Sequence, residues 1–160
     1  MLCSKILTNI HPLGADGRMT MLIALNSLST IDILLYLYPR LFNVSESKFS
    51  ILPLQKSSFV NGFCFLFHTF NRIYILIRDN VNSIYLKNTF GVDSIEQITN
   101  EIPKLETTEN KTLQALINDC WSFSGKFLQI EIICQGNPNE SKIFEFLVDD
   151  DKSLQELLKI

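Results

Sequence analysis

Two stretches of this chain are apolar at almost every position, and they fix the reading of the rest. Phe63–Thr69 (FCFLFHT) and Ile73–Ile77 (IYILI) are rich in aromatic and β-branched residues, with Phe70, Asn71 and Arg72 between them. That composition predicts two adjacent strands joined by a short hairpin loop. Neither run alternates with polar residues, so neither leaves a wet face. Both are expected to be central strands, with helices covering both sides of the sheet.

Weaker extended signals lie around them. Arg40–Val44 is a short strand candidate, followed by a polar linker over Ser45–Lys48. Phe49–Leu54 is apolar but contains Pro53, which confines any strand there to an edge or a strand end. Phe127–Cys134 (FLQIEIIC) alternates apolar residues with Gln129 and Glu131, the pattern of a strand with one wetter face.

Helical spacing appears elsewhere. In Met21–Tyr38, Leu22, Leu25, Leu28 and Ile31 recur every third residue and Leu34, Leu35 and Tyr38 continue the stripe, which predicts one buried helix entered from Gly14–Gly17. Pro39 must end it, because proline disfavours helical geometry in the residue before it. A second helix is expected from a cap in Asp79–Asn82, with Val81, Ile84, Tyr85 and Phe90 inward and Gly91 as a left-handed stop. Asp93 or Ser94 then caps a short helix burying Ile95 and Ile98. A loop through Pro103 leads to a helix from Glu109 to about Phe123, with Leu113, Leu116, Ile117 and Cys120 on one face and Gly125 at its end. After a turn at Gly136–Asn139, Ser141–Leu147 and Ser153–Ile160 are short helices, with Asp149–Asp151 between them.

Composition narrows the class. The chain has 160 residues, 46% of them hydrophobic, enough to bury one core without covalent staples. The 14 basic residues against 17 acidic ones leave a net charge of −3, so there is no global basic field to hold nucleic acid or an anionic membrane. Cys3, Cys64, Cys120 and Cys134 are scattered among apolar neighbours, as reduced thiols packed in a core would be, and point to the cytosol. The N-terminus lacks the pattern of a secretory signal. Met21–Tyr38 approaches the length of a membrane span, but Asp32 near its middle would cost about 2.5–3.5 kcal/mol in a bilayer, which favours a buried helix.

The residues that could carry chemistry each have a plainer reading. Cys64 and His68, four apart on a strand, share a face but stand about 13 Å apart, too far for a nucleophile and its base. No two cysteines have zinc-ligand spacing, and His11 is remote. Asp149–Asp151 lacks the alternating ligands and glycine of a calcium loop and reads as a solvated helix start. Trp121 is explained by packing, and GADG is not a phosphate loop.

Several stretches, in order, resemble the C-terminal end of the cargo-adaptor subunit of the COPII vesicle coat, the Sec-twenty-four family. They are YPRLFNV (Tyr38–Val44, with Tyr38, Pro39 and Arg40 as strand entry), FVNGFCFLFHTFNRIYILIRDNV (Phe59–Val81), and TFGVDSIEQI (Thr89–Ile98, with Phe90, Gly91, Val92 and Ser94 matching a Phe-Gly-Val-x-Ser motif). IPKLETTENKTLQALI (Ile102–Ile117) and FLVDDDKS (Phe146–Ser153, with Leu147, Asp149 and Asp150 matching Leu-Val-Glu-Asp) complete the series. The family's Trp and Gly are missing from Tyr74–Arg78, and Ser153–Leu158 carries leucines in both aromatic positions of the corresponding helix. The motifs are specific through their order and spacing, from about Asp16 onward.

The resemblance implies an α/β fold: a gelsolin-like domain over 39–160, a central mixed β-sheet with helices on both faces, preceded by the end of a helical domain over 1–38. It implies a non-enzymatic piece of a longer coat subunit acting in endoplasmic reticulum to Golgi transport. Its partners would be a sister inner-coat subunit, a Sar-type GTPase, outer-coat subunits and cargo membrane proteins. It would be cytoplasmic and peripheral on endoplasmic reticulum exit sites and COPII vesicles. No catalytic, cofactor or metal residue carries over, since the family's zinc site lies upstream. Two rival classes remain: a gelsolin-like module that binds actin or calcium, and a cysteine-dependent hydrolase, which requires one unusually reactive thiol.

Overall fold

In the computed structural model, which describes Met19, Ile23 and residues 26–45, 49–60, 62–144, 146 and 147, the two apolar runs form the middle of a five-stranded sheet. The strands are β1 (Arg40–Asn43), β2 (Ser50–Leu52), β3 (Cys64–His68), β4 (Arg72–Ile77) and β5 (Gln129–Cys134), in the order β2-β1-β3-β4-β5. β1 pairs antiparallel with β2 and β3, and β3 pairs antiparallel with β4 in the register Cys64↔Ile77 to His68↔Ile73. β4 and β5 run parallel. The sheet is therefore mixed, and β2, next to Pro53, is the edge strand expected.

All of β3 and Ile73–Ile77 of β4 are buried. Alternation along each strand sorts the side chains into two cores. Leu66, Ile73, Ile75 and Ile77 face one side, against Tyr85, Leu86 and Phe90 of α2 (Ser83–Phe90) and Leu113, Leu116, Ile117 and Cys120 of α3 (Thr108–Ser124). Phe65, Phe67, Tyr74 and Leu76 face the other, against Phe59 of a 3-10 turn (Lys56–Phe59) and Ile143 of α4 (Glu140–Phe144). Each fully buried Phe or Ile of the hairpin contributes about 1.5–3 kcal/mol by leaving water. Helices thus cover both faces, as anticipated. The preceding helix, α1 (Thr30–Leu37), leads into β1.

The first helix differs from its expectation. Among the described residues, Asn26 and Ser27 are helical, the backbone bends at Leu28, and α1 starts afresh at Thr30. Ser29 makes the break: its Oγ accepts from the Asp32 backbone N–H at 3.1 Å and donates to the Asp32 carboxylate at 2.9 Å, capping a new helix inside the apolar run. The buried positions are Leu35 and Leu37, while Ile31 and Leu34 of the anticipated stripe are exposed. The Gly14–Gly17 entry and the expected Ser153–Ile160 helix lie outside the described residues. Pro39 acts as expected: Leu37 is the last helical residue, and the Tyr38 N–H donates to the Leu34 carbonyl.

A smaller correction applies to α2. Its cap is Asn82, whose side chain accepts from the Tyr85 N–H at 2.6 Å, and Ile84, expected inside, is 71% exposed. Tyr85, Leu86, Thr89 and Phe90 are buried instead. Ile84, Tyr85 and Leu86 are consecutive apolar residues, and at 100° per residue they cannot all face the sheet.

α2 ends at Gly91, with φ +72° and its N–H on the Lys87 carbonyl. Phe90 is buried in the α2–α3 core and Val92 packs against it, while Ser94 precedes a 3-10 turn at Ile95–Gln97 whose Ile95 and Ile98 lie against the same core. A second tie comes from Asn110 on α3, 1% exposed. Its Nδ2 donates to the Thr89 carbonyl (2.6 Å) and the Pro103 carbonyl (2.9 Å), and its Oδ1 accepts from the Leu105 N–H (3.1 Å). One amide thereby fastens the end of α2 and the incoming loop to α3. Glycine is required at position 91 by its backbone alone: an added Cβ would meet Leu105 and Pro103 no closer than 3.7 Å. Gly91→Ala is expected to lower stability by about 1–2 kcal/mol, the cost of a left-handed L-residue. An unchanged urea midpoint would refute this.

Candidate functional site

The polar groups that the fold gathers most tightly sit where β1 and β3 meet the end of α3. Arg40 and His68 are cross-strand partners, and α3 lies over them. The His68 Nε2 is 2.7 Å from the Ser124 Oγ, and Asp119 Oδ2 is 3.7 Å from Arg40 Nη2. The Arg40 guanidinium also lies over the Phe42 and Phe123 rings, at 4.9 and 4.6 Å. A cation suits this place, because the carbonyl end of α3 carries partial negative charge.

A serine hydroxyl on a histidine resembles a nucleophile and its base, but the surroundings oppose that chemistry. His68 is fully buried, and its Nδ1 has no hydrogen-bond partner among the described residues, so no carboxylate on that nitrogen supports an imidazolium as a catalytic triad requires. Burial, with the Arg40 charge beside it, holds its pKa down at about 4. Ser124 closes the C-terminus of α3, where free carbonyls would repel a developing oxyanion. The cluster is a structural joint: a neutral imidazole packed edge-on to Phe123, 5.8 Å between ring centroids, and tied to the helix end.

The thiols are equally inert. Burial pushes Cys64 and Cys120 up to about 12, and raises Cys134 as well. Cys64 and His68 lie on the same strand face four residues apart, as expected, and His68 bonds to Ser124 instead. Trp121 donates its indole N–H to the Leu128 carbonyl at 3.0 Å and stacks edge-on with Phe127, a packing role. Among the described residues, no three His, Cys, Asp or Glu side chains could hold a metal ion, and no helix is long and apolar enough to cross a membrane.

Seven of the motif residues fall at two joints. Tyr38, Pro39 and Arg40 form the turn from α1 into β1, with Pro39 buried and Arg40 in the cluster above. Phe90, Gly91, Val92 and Ser94 form the turn after α2. Leu147 is half-buried, packed against the core beneath α4, and Asp149 and Asp150 lie outside the described residues. The two joints are held by further residues: Ser124 and Asp119, outside the resembling stretches, at the first, and Asn110, within Ile102–Ile117, at the second. Asn110 carried a signal in the sequence, a polar side chain three residues before Leu113 on the inward stripe of α3. Ser124 carried none, being 56 residues from His68.

No protein-family model matches the sequence, and no curated protein matches it. Among solved structures, the chain is similar to the human COPII-coat protein Sec24c, with a TM-score of 0.73, 21% identity and 89% of this chain covered. It spans about one fifth of that protein's length, 20%. At this identity the likeness establishes a shared fold.

Two measurements follow from the buried groups. His68 titrates near 6.5 when unfolded and about 4 when folded, so the unfolded state binds the extra proton between those values. Stability is therefore complete above pH 6.5, falls by about 3 kcal/mol down to pH 4 and levels off below it. His68→Gln should remove that part of the pH dependence, read as the difference between the two urea-midpoint profiles; parallel profiles would contradict it. Cys64 and Cys120 are expected to react with iodoacetamide at pH 7.5 only after denaturation. Rapid alkylation of either in the native chain would reopen the hydrolase reading.

Proposed function

We propose that this chain is the C-terminal part of a COPII inner-coat cargo-adaptor subunit, a non-enzymatic vesicle-coat component. The observation that carries the reading is the fold shared with Sec24c over 89% of the chain, at a TM-score of 0.73. The ordered motifs support it independently. Two of them lie at joints of the fold: Tyr38-Pro39-Arg40 where α1 enters the sheet, and Phe90-Gly91-Val92 where α2 turns toward the loop below α3.

In this reading residues 39–160 form the gelsolin-like end domain and residues 1–38 belong to the end of a helical domain. Its partners are a sister inner-coat subunit, a Sar-type GTPase and outer-coat subunits, and the subunit acts peripherally on the endoplasmic reticulum in transport toward the Golgi. This segment requires no cofactor. The site chemistry agrees in kind, since the buried polar cluster favours rigidity over turnover.

Affinity purification of the full-length endogenous protein under mild lysis, with mass spectrometry of what accompanies it, tests the assignment. A sister coat subunit in near-equal amount is the expected result. Recovery of actin, or of no coat subunit, would reduce the likeness to a shared fold.

A further inference from the structure

On the face of the sheet away from α2 and α3, a cleft of about 220 Å³ opens at the carboxyl ends of β4 and β5. Its floor is apolar, built from Phe59, Leu76 and Phe144. Its rim is polar: Lys56 from the 3-10 turn, Arg78 and Gln135 as the first residues beyond the two parallel strands, and Glu140 at the start of α4. Strand ends on a parallel pair are where loops are free to diverge and leave a crevice.

Arg78 is the defining group. Its Nη1 donates to the Phe59 carbonyl, and its Nε to the Gln135 Oε1 at 3.4 Å, an oxygen that also accepts from the Asp79 N–H at 3.3 Å. Both partners are neutral oxygens, and among the described residues no carboxylate pairs with Arg78. Glu140, on the rim, instead accepts from the Gly136 N–H at 2.9 Å. A guanidinium is thereby held in place with no carboxylate paired to it among the described residues, beside an apolar floor whose Phe144 is 43% exposed.

We propose that the cleft binds a peptide segment of a protein partner that sets one carboxylate beside one large apolar side chain. The carboxylate pairs with the Arg78 guanidinium, and the apolar side chain covers Phe59, Leu76 and Phe144. Charge complementarity selects an acidic partner, and a fixed guanidinium loses little freedom in making a charge-assisted pair. The volume, below the roughly 300–1,000 Å³ of small-molecule sites, suits a single side chain of a longer ligand. This site goes beyond the coat assignment and stands or falls on the purified chain alone.

The test is a titration of the full 160-residue chain, labelled with nitrogen-15, against two probes: N-acetyl-Leu-Glu amide and N-acetyl-Leu-Gln amide. With the glutamate probe, the amide signals of Arg78, Gln135 and Phe144 are expected to shift and saturate. The glutamine probe should bind about five-fold more weakly, the scale of one partly exposed ion pair. Arg78→Gln should bring the glutamate probe down to the same level. Because Arg78 also holds the Phe59 carbonyl, the comparison of the two probes on the unaltered chain carries the test independently of that variant. Equal affinity for the two probes, shifts confined to other surfaces, or no shift with either would overturn the proposal.

Discussion

Everything in this fold follows from two neighbouring strands that are buried on both faces. β3 and β4 have no side that can meet water, so the chain must supply a layer above and a layer below. α2 and α3 form one, the 3-10 turn and α4 the other. Backbone groups at the strand ends must also be satisfied. Ser45 Oγ accepts from the Phe63 and Cys64 N–H groups at 2.8 and 3.0 Å, and Thr69 Oγ1 donates to the Arg72 carbonyl at 2.8 Å across the hairpin. The features that look most like catalysis are by-products of the same burial. His68 is neutral and bonded to Ser124 because it lies at the end of a strand with no wet face.

Side chains acting on distant backbone hold the layers in place. The Tyr85 hydroxyl donates to the Val44 carbonyl at 2.7 Å, joining α2 to the end of β1, and Asn110 joins α2, the Pro103–Leu105 loop and α3. Buried polar groups stabilise only when all their bonds are met, and these two meet that condition. They fix the angle at which the helices lie on the sheet, where apolar contacts alone would allow sliding.

How far the sequence revealed this depended on the range of the forces involved. The hairpin, the edge strand at Pro53, the stop at Pro39, the left-handed Gly91 and the stripe of α3 are local consequences of residue type, and each was legible. The break at Ser29 was concealed by a continuous apolar run, although the Ser29 and Asp32 pair that causes it was in view. Ile84 was misplaced because three consecutive apolar residues leave the inward face to be decided by what packs against them. The Arg40, His68 and Ser124 cluster and the Arg78 and Gln135 rim were illegible, since both unite residues brought together only by the finished sheet.

The parallel pair has a consequence in time as well as in space. β3 and β4 are separated by three residues, so closing that hairpin costs little chain entropy and is a microsecond-scale event. β4 and β5 are linked through residues 78–128, so their register closes a far longer loop, one that carries α2, the Pro103 loop and α3. Until then, β4 keeps a bare hydrophobic edge. The β4–β5 register is therefore the pairing of greatest sequence separation in the sheet, and wherever it is unmade the β4 edge is open to pairing with another chain.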